Sequence, residues 1–190
     1  MLEVVLFFYL NLHLVKITEK MDFCQYEEAV VKYHNTLNIK GMPIHAWPFR
    51  FDLINSLKAV IEDTNKLFQL SVVHKWSQHE WDFESKLKEE VVIVTDSKLR
   101  IVFASKNILN MNGYNHEEVI GQTPKMFHGV GTDIEVSNEI RLAIQNKEPF
   151  EKKVLNYKKN GETYHCLIKG YPVFNSKGDV SHFIAFEKVA

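Results

Sequence analysis

Few residues in this chain have both the type and the spacing that reactive chemistry needs. Its two cysteines, Cys24 and Cys166, fall in regions of different character, so neither a disulfide framework nor a zinc site is expected. His45, His74 and His79 gather near Trp76 and Trp81. On a helix His74 and His79 would point well away from one another, and no carboxylate completes a metal-binding set, so packing or surface roles are expected. No nucleophile elbow, metal-ligand pair or phosphate-cradling loop occurs, and Gly129-Val130-Gly131 alone is a weak signal. The expectation is therefore a protein that is not an enzyme. A small hydrolase is the lesser alternative, revealed by turnover that His128→Ala abolishes. What stands out is Gly121 to Asp133, Gly-Gln-Thr-Pro-Lys-Met-Phe-His-Gly-Val-Gly-Thr-Asp, in which Lys125 brings a fixed charge and His128 a group that titrates near neutrality.

The elements that must position this stretch come from composition and pattern. With 190 residues, 45% hydrophobic and 25% charged, the chain holds one ordinary domain plus an extension. A net charge of −1 with scattered lysines gives no reason to expect nucleic acid. The pairs Lys152-Lys153 and Lys158-Lys159 read as solvated strand ends. Met1 to Val15 is apolar, but Glu3, Asn11 and His13 interrupt it. It is short for a membrane span and lacks the basic start and cleavage pattern of a signal peptide. We expect residues 1–20 to lie upstream of a working start at Met21, with membrane contact the lesser alternative, residues 21–88 to form a helical extension, and 89–190 the main domain. A reducing cytoplasm suits the two thiols.

Phe23, Tyr26, Ala29, Val30 and Tyr33 recur at helical steps and predict one helix ending near Asn35. Pro43 and Pro48 predict a bend over Asn38 to Pro48. Leu53, Ile54, Leu57, Val60, Ile61 and Phe68 predict a long helix from Phe51 to Leu70, with a shorter one around Trp76, Trp81 and Phe83. Val91 to Thr95 and Ile101 to Ala104 flank Asp96-Ser97-Lys98 as a hairpin. Short helices follow at Ile108 to Met111 and Glu117 to Ile120. Thr132 to Glu135 has the form of a capping box, opening a helix that runs to Asn146. Strands at Phe150 to Tyr157, Thr163 to Val173 and Val180 to Val189 are separated by turns at Asn160-Gly161 and Asn175 to Asp179. The order is α+β: an antiparallel sheet with short helices on one face.

These segments, in this order, resemble a PAS sensory domain over about Val91 to Glu187. The resemblance rests on Ile101-Val102-Phe103-Ala104-Ser105, Gly113-Tyr114 with Glu117-Glu118, Gly121 to Asp133, Asn156 to Gly161, and Gly178-Asp179-Val180 leading to Phe183-Ile184. Within that superfamily it is most similar to the light-oxygen-voltage (LOV) branch, whose pocket motif is Gly-x-Asn-Cys-Arg-Phe-Leu-Gln-Gly-x-x-Thr-Asp. The resemblance implies a five-stranded sheet and a ligand pocket lined by Ser105, Thr123, Pro124, Lys125, His128, Asn156, Cys166, Ile168 and Glu187.

The departures from the family pattern decide the functional expectation. Pro124 stands where the branch keeps the cysteine that bonds to flavin. Thr123 replaces the motif asparagine, Lys125 the phosphate-pairing arginine and His128 the ring-contacting glutamine. Asn156 is kept, while Cys166 and Glu187 replace a second asparagine and the last strand's glutamine. Flavin needs amides at the ring edge and a bidentate cation at the phosphate, so no cofactor is expected, with non-covalent FMN or FAD the disfavoured alternative. Cys166 is expected to act as a small buried hydrophobe. The chain ends just past its last strand, so output is expected to pass through association, as a homodimer or with a signalling protein. Strand alternation puts Leu155, Tyr157, Leu167, Ile184 and Phe186 on the face away from the pocket. That face needs covering, either by the Phe51 to Leu70 helix or by a second subunit; the dimer, with N-terminal helices taking part, is the favoured form. Glu187 either turns to solvent or pairs with His128 or Lys125 as a pH-sensitive switch.

Overall fold

The computed structural model describes residues 27, 28, 30–33, 46–77 and 81–190. The apolar segment 1–20, the first part of the expected bend, Cys24, His45 and His79 lie outside the described residues. The chain divides into two compact units, Met1–Pro48 and Phe49–Ala190. In the first, residues 27, 28 and 30–33 are helical.

The second unit is built on five antiparallel strands. From Ala46 onward the elements are α1 (Ala46–Val73), α2 (Phe83–Glu89), β1 (Val91–Asp96), β2 (Ile101–Ala104), α3 (Ile108–Asn112), α4 (His116–Val119), the 3-10 turn η1 (Pro124–Phe127), α5 (Ile134–Asn146), β3 (Phe150–Tyr157), β4 (Thr163–Phe174) and β5 (Val180–Val189). The sheet order is β2-β1-β5-β4-β3. Turn chemistry sets each hairpin. Asp96 Oδ1 accepts the Lys98 and Arg100 amides, both at 2.8 Å. Asn175 Oδ1 accepts those of Lys177 and Asp179. At the β3–β4 turn Gly161 takes φ 88°, a conformation that costs a glycine little.

Both faces of the sheet are covered. On one, the short helices bring Ile108, Met111, Val119 and Phe127 onto Val91, Ile93, Ile101, Tyr164 and Cys166. On the other, Leu67 of α1 and Leu87 of α2 pack with Val92, Val94, Phe103, Val173, Ile184 and Phe186, and Trp76, Trp81 and Tyr171 border them. Two-sided burial is why β1 reads as an uninterrupted apolar run. Polar contacts fix α1 in place: Asp63 Oδ2 accepts the Lys106 amide at 2.7 Å, and Lys106 Nζ pairs with Glu62.

Several expectations need correction. Pro48 does not end the bend but lies in the first turn of α1, where its missing N–H belongs to a position with no intrahelical partner. The helix also runs past Leu70 to Val73. Trp76 is not helical. It forms a bridge with Asn175, and the Ser77 amide donates to the Phe174 carbonyl at 2.7 Å. The helix cap is Asp133, whose Oδ1 accepts the Glu135 amide at 2.7 Å. The hydroxyl of Thr132 is used elsewhere, donating to the Leu155 carbonyl at 2.7 Å. Finally, α1 buries Ile184 and Phe186 within the chain, so they offer no surface to a second subunit. Leu155, Tyr157 and Leu167 stay half-buried near the β3 edge.

Candidate functional site

Residues of β3, β4 and β5 that face the short helices are brought together by strand register. Asn156 stands opposite Tyr164, Val154 opposite Cys166, and Ile168 opposite both Lys152 and Glu187. Directly paired residues share a face, so Asn156, Tyr164, Cys166, Ile168 and Glu187 all point under α3, α4 and η1. From the helical side Asn112, the last residue of α3, reaches the same place. The Tyr164 hydroxyl stands among Cys166, Glu187, Asn112 and Asn156, all of which act on its ionisation.

This cluster is polar and buried. Asn112, Asn156, Glu187 and Tyr164 are 0%, 2%, 5% and 7% exposed. Asn112 Nδ2, Asn156 Oδ1 and Tyr164 Oη miss ideal hydrogen-bond geometry, but both amides lie close enough to the Tyr164 hydroxyl to act on it by hydrogen bonding. An amide donor, a hydroxyl and an amide acceptor are complementary, so the three groups can satisfy one another within the fold. The Cys166 thiol donates weakly to Glu187 Oε2 at 3.5 Å. Burial, helped by the Glu187 charge, pushes the Cys166 thiol far up, and burial, Cys166 and Glu187 do the same to the Tyr164 phenol. Burial pushes Glu187 up to about 7, against a weak opposing pull from the Cys166 bond.

The expectation that Glu187 turns to solvent is therefore wrong. So is the cationic pairing, since neither Lys125 nor His128 acts on Glu187. Pro124 opens η1, and Phe127 anchors that turn in the core against Tyr114, ring centroids 5.7 Å apart. This leaves Thr123 and Lys125 exposed. His128 is half-buried, its imidazole held below the usual value by burial and then by the Lys125 charge. Ser105 is spent structurally: its hydroxyl accepts the Val92 amide at 2.8 Å and donates to Asn107. Of the nine expected pocket residues, Asn156, Cys166, Ile168 and Glu187 thus form the site's floor. Asn112 and Tyr164 were missed. Tyr164 was detectable two residues before Cys166 on the same strand face, whereas nothing local marks Asn112.

Beside the cluster, the Gly129–Thr132 loop closes over the β3 edge. Tyr157 Oη accepts the Gly131 amide at 2.8 Å. A side chain on Gly129 would meet the Tyr157 ring at 2.5 Å, so glycine is required there for close approach rather than for its dihedral freedom.

Comparison with known proteins agrees with this architecture. A family profile described as "PAS domain" matches residues 89–188. The chain is similar to Protein TWIN LOV 1 of Arabidopsis thaliana, 41% identical over 88 residues that make up 46% of this chain and 22% of that protein. It is 33% identical over 102 residues to Phototropin-1A of Oryza sativa subsp. japonica, covering 52% of this chain and 11% of the relative. A blue-light-activated histidine kinase of Brucella canis is 35% identical over 85 residues, 45% of this chain and 17% of that one. The chain spans about a fifth or less of these relatives' length. Among solved structures, the light state of the blue-light photoreceptor Aureochrome1 LOV aligns with TM-score 0.52 at 25% identity, covering 56% of this chain and 85% of that one. The LOV domain of a blue-light activated histidine kinase from Erythrobacter litoralis aligns with TM-score 0.50 at 19% identity, over 53% and 94% of the two chains, a likeness in fold. The chain belongs to the PAS domain family, and what it resembles includes a relative and solved structures whose names carry the term LOV.

Proposed function

We propose that this chain is a non-enzymatic PAS sensory module in cytoplasmic signal transduction, that its buried cluster is the sensing site, and that it works without cysteinyl-flavin photochemistry. The observation that carries this reading is the placing of Cys166. Pro124 supplies no thiol in the pocket motif, and the sulfur of Cys166 lies at the sheet, fully buried against a carboxylate that disfavours the thiolate. A thiol held neutral in this way is a poor nucleophile. Of the residues that the family resemblance assigns to flavin, Asn156 alone offers a buried amide, and the exposed Lys125 is a point charge rather than a bidentate grip. These residues fit a flavin poorly. A second reading, a non-covalent flavin sensor, draws on the printed identities of the relatives as phototropin and blue-light kinase. A visible absorption spectrum of the freshly purified full chain separates them: colourless protein agrees with the first reading, a yellow preparation with the second.

Signal output is assigned to association through α1. Its buried side carries Val60, Asp63, Leu67 and Leu70, yet Ile54, Leu57, Ile61, Phe68 and Val72 form a stripe on another side, 43–65% exposed. Their spacing keeps them in line along a helix, and a helix apolar on two sides needs two partners. The occupant that fits is a second copy of α1. The stripe contains no charged residue, so laying it on itself buries no unpaired charge. At about 1.5 Å per residue it runs about 27 Å, a contact at the small end of specific interfaces, which makes for a weak, concentration-dependent dimer.

A further inference from the structure

Within the exposed stripe of α1, one polar residue stands in line with the apolar ones. Asn65 follows Ile61 by four residues, precedes Phe68 by three and Val72 by seven, and is exposed as they are. Three- and four-residue steps keep all of them on one side of a helix. The side that holds α1 to the domain is turned away from it: Asp63, 2% exposed, lies two residues, about 200°, on from Ile61. When two such stripes meet, the domains they belong to therefore stay on the outside.

The place of Asn65 decides how two stripes fit together. In a parallel pair in register each residue faces its own copy, so Asn65 meets Asn65, while Ile54, Leu57, Ile61, Phe68 and Val72 each meet an apolar residue. An amide carries an acceptor and two donors, so two of them bond reciprocally. Antiparallel pairs do worse. Centred midway between Ile54 and Val72, an antiparallel pair sets Asn65 against Ile61; centred on Ile61, it sets Asn65 against Leu57. Either way both amides leave water with nothing to bond. Centred on Asn65 itself, it restores the amide pair but sets Phe68 against Glu62 and Val72 against Lys58.

Resting on the reading of α1 as the surface of association, we propose that α1 pairs with a second copy of itself in parallel and in register, and that a contact between the two Asn65 amides fixes this alignment. A single asparagine in an apolar seam selects one register at some cost in affinity. The Trp76–Asn175 bridges that follow α1 then lie at the same end of the pair in both copies.

Disulfide trapping in the full chain tests this, in a Cys24→Ser background with the buried Cys166 left in place, beside sedimentation equilibrium well above micromolar concentration. Ile54→Cys and Val72→Cys lie about 27 Å apart along the helix. Under diamide each variant is expected to cross-link to its own kind, and a mixture of the two to give no mixed product. Asn65→Leu, introduced into both, is expected to tighten the dimer about fivefold and to let the mixed product appear. Asn65→Asp, which sets two carboxylates face to face, is expected to weaken the dimer about tenfold with an unchanged melting temperature. Cross-linking in the mixture alone, in a chain that sediments as a dimer, overturns the parallel alignment and leaves association through α1 standing. Affinity and products that are the same with and without Asn65→Leu overturn the part given to Asn65, and the proposal with it. A monomer, or a dimer in which neither cysteine cross-links in any combination, overturns the association reading as well.

Discussion

Asp63, at the middle of α1, accepts the backbone amide of Lys106 at 2.7 Å, so the helix is tied to the segment that joins β2 to α3. Burial raises the Asp63 carboxyl above its ordinary range, with the Lys106 amide bond opposing the shift, so it is the acceptor rather than the charge that matters. Asp63→Ala is expected to cost about 1–3 kcal/mol, the price of a buried amide left unpaired. Asp63→Asn keeps an acceptor and is expected to restore most of it. Urea unfolding, with hydrogen exchange across residues 46–73, measures both, and equal losses in the two variants would contradict the acceptor role.

The α1 stripe makes a separate prediction. Ile61→Glu and Phe68→Glu place charge on its exposed side, away from Leu67 and Val60. Sedimentation equilibrium is expected to show a weak dimer for the parent chain and a monomer for both variants, with melting temperatures nearly unchanged. Leu67→Ala, at the buried side, is expected to do the reverse, destabilising the fold by about 2–5 kcal/mol. A parent chain that stays monomeric well above micromolar concentration would sink the dimer.

Stability should depend on pH through two buried groups with opposite signs. Glu187 holds its proton up to about 7 in the fold against 4.5 in the open chain. The native state then binds more protons, so its contribution is full below about 4.5 and is lost as pH rises to about 7, a difference on the order of 3 kcal/mol. His182 is pushed down to about 4 from 6.5, by burial first and by the neighbouring His74 next. Its Nδ1 accepts the Trp76 indole N–H at 3.1 Å, which requires a neutral ring. That contribution is present above about 6.5 and is lost as pH falls to about 4. Denaturant titrations at stepped pH are expected to show Glu187→Gln gaining stability most at about pH 8, and keeping only the acid-side loss. A Glu187→Gln profile parallel to the parent's would refute the assignment.

Much of this was legible in the sequence because turn chemistry and strand period are local signals. Asp96, Asn160-Gly161 and Asn175 mark hairpins by what their own side chains or dihedrals do; the family resemblance put Asn156, Cys166 and Glu187 on the pocket face, and the period of two then put their neighbours on the other. What was not legible depends on distant partners. Thr132 reads as a cap until β3 is present to accept its hydroxyl, and Trp76 reads as helical until Asn175 pairs with it. Pro48 is a breaker or a starter depending on which side the helix lies. Asn112 enters the site only because Tyr164 arrives from fifty residues further along. The burial of Glu187 follows from the helices stacked above it, which no pattern within β5 encodes.

The central claim is that this LOV-like chain senses without forming a bond to flavin, and blue illumination of the full chain supplemented with FMN tests it most directly. The account predicts no reversible bleaching of the flavin band with recovery in the dark, in the parent chain and in Cys166→Ala alike. Bleaching that recovers in the dark, and that disappears in Cys166→Ala, would contradict it and make the buried Cys166 the nucleophile.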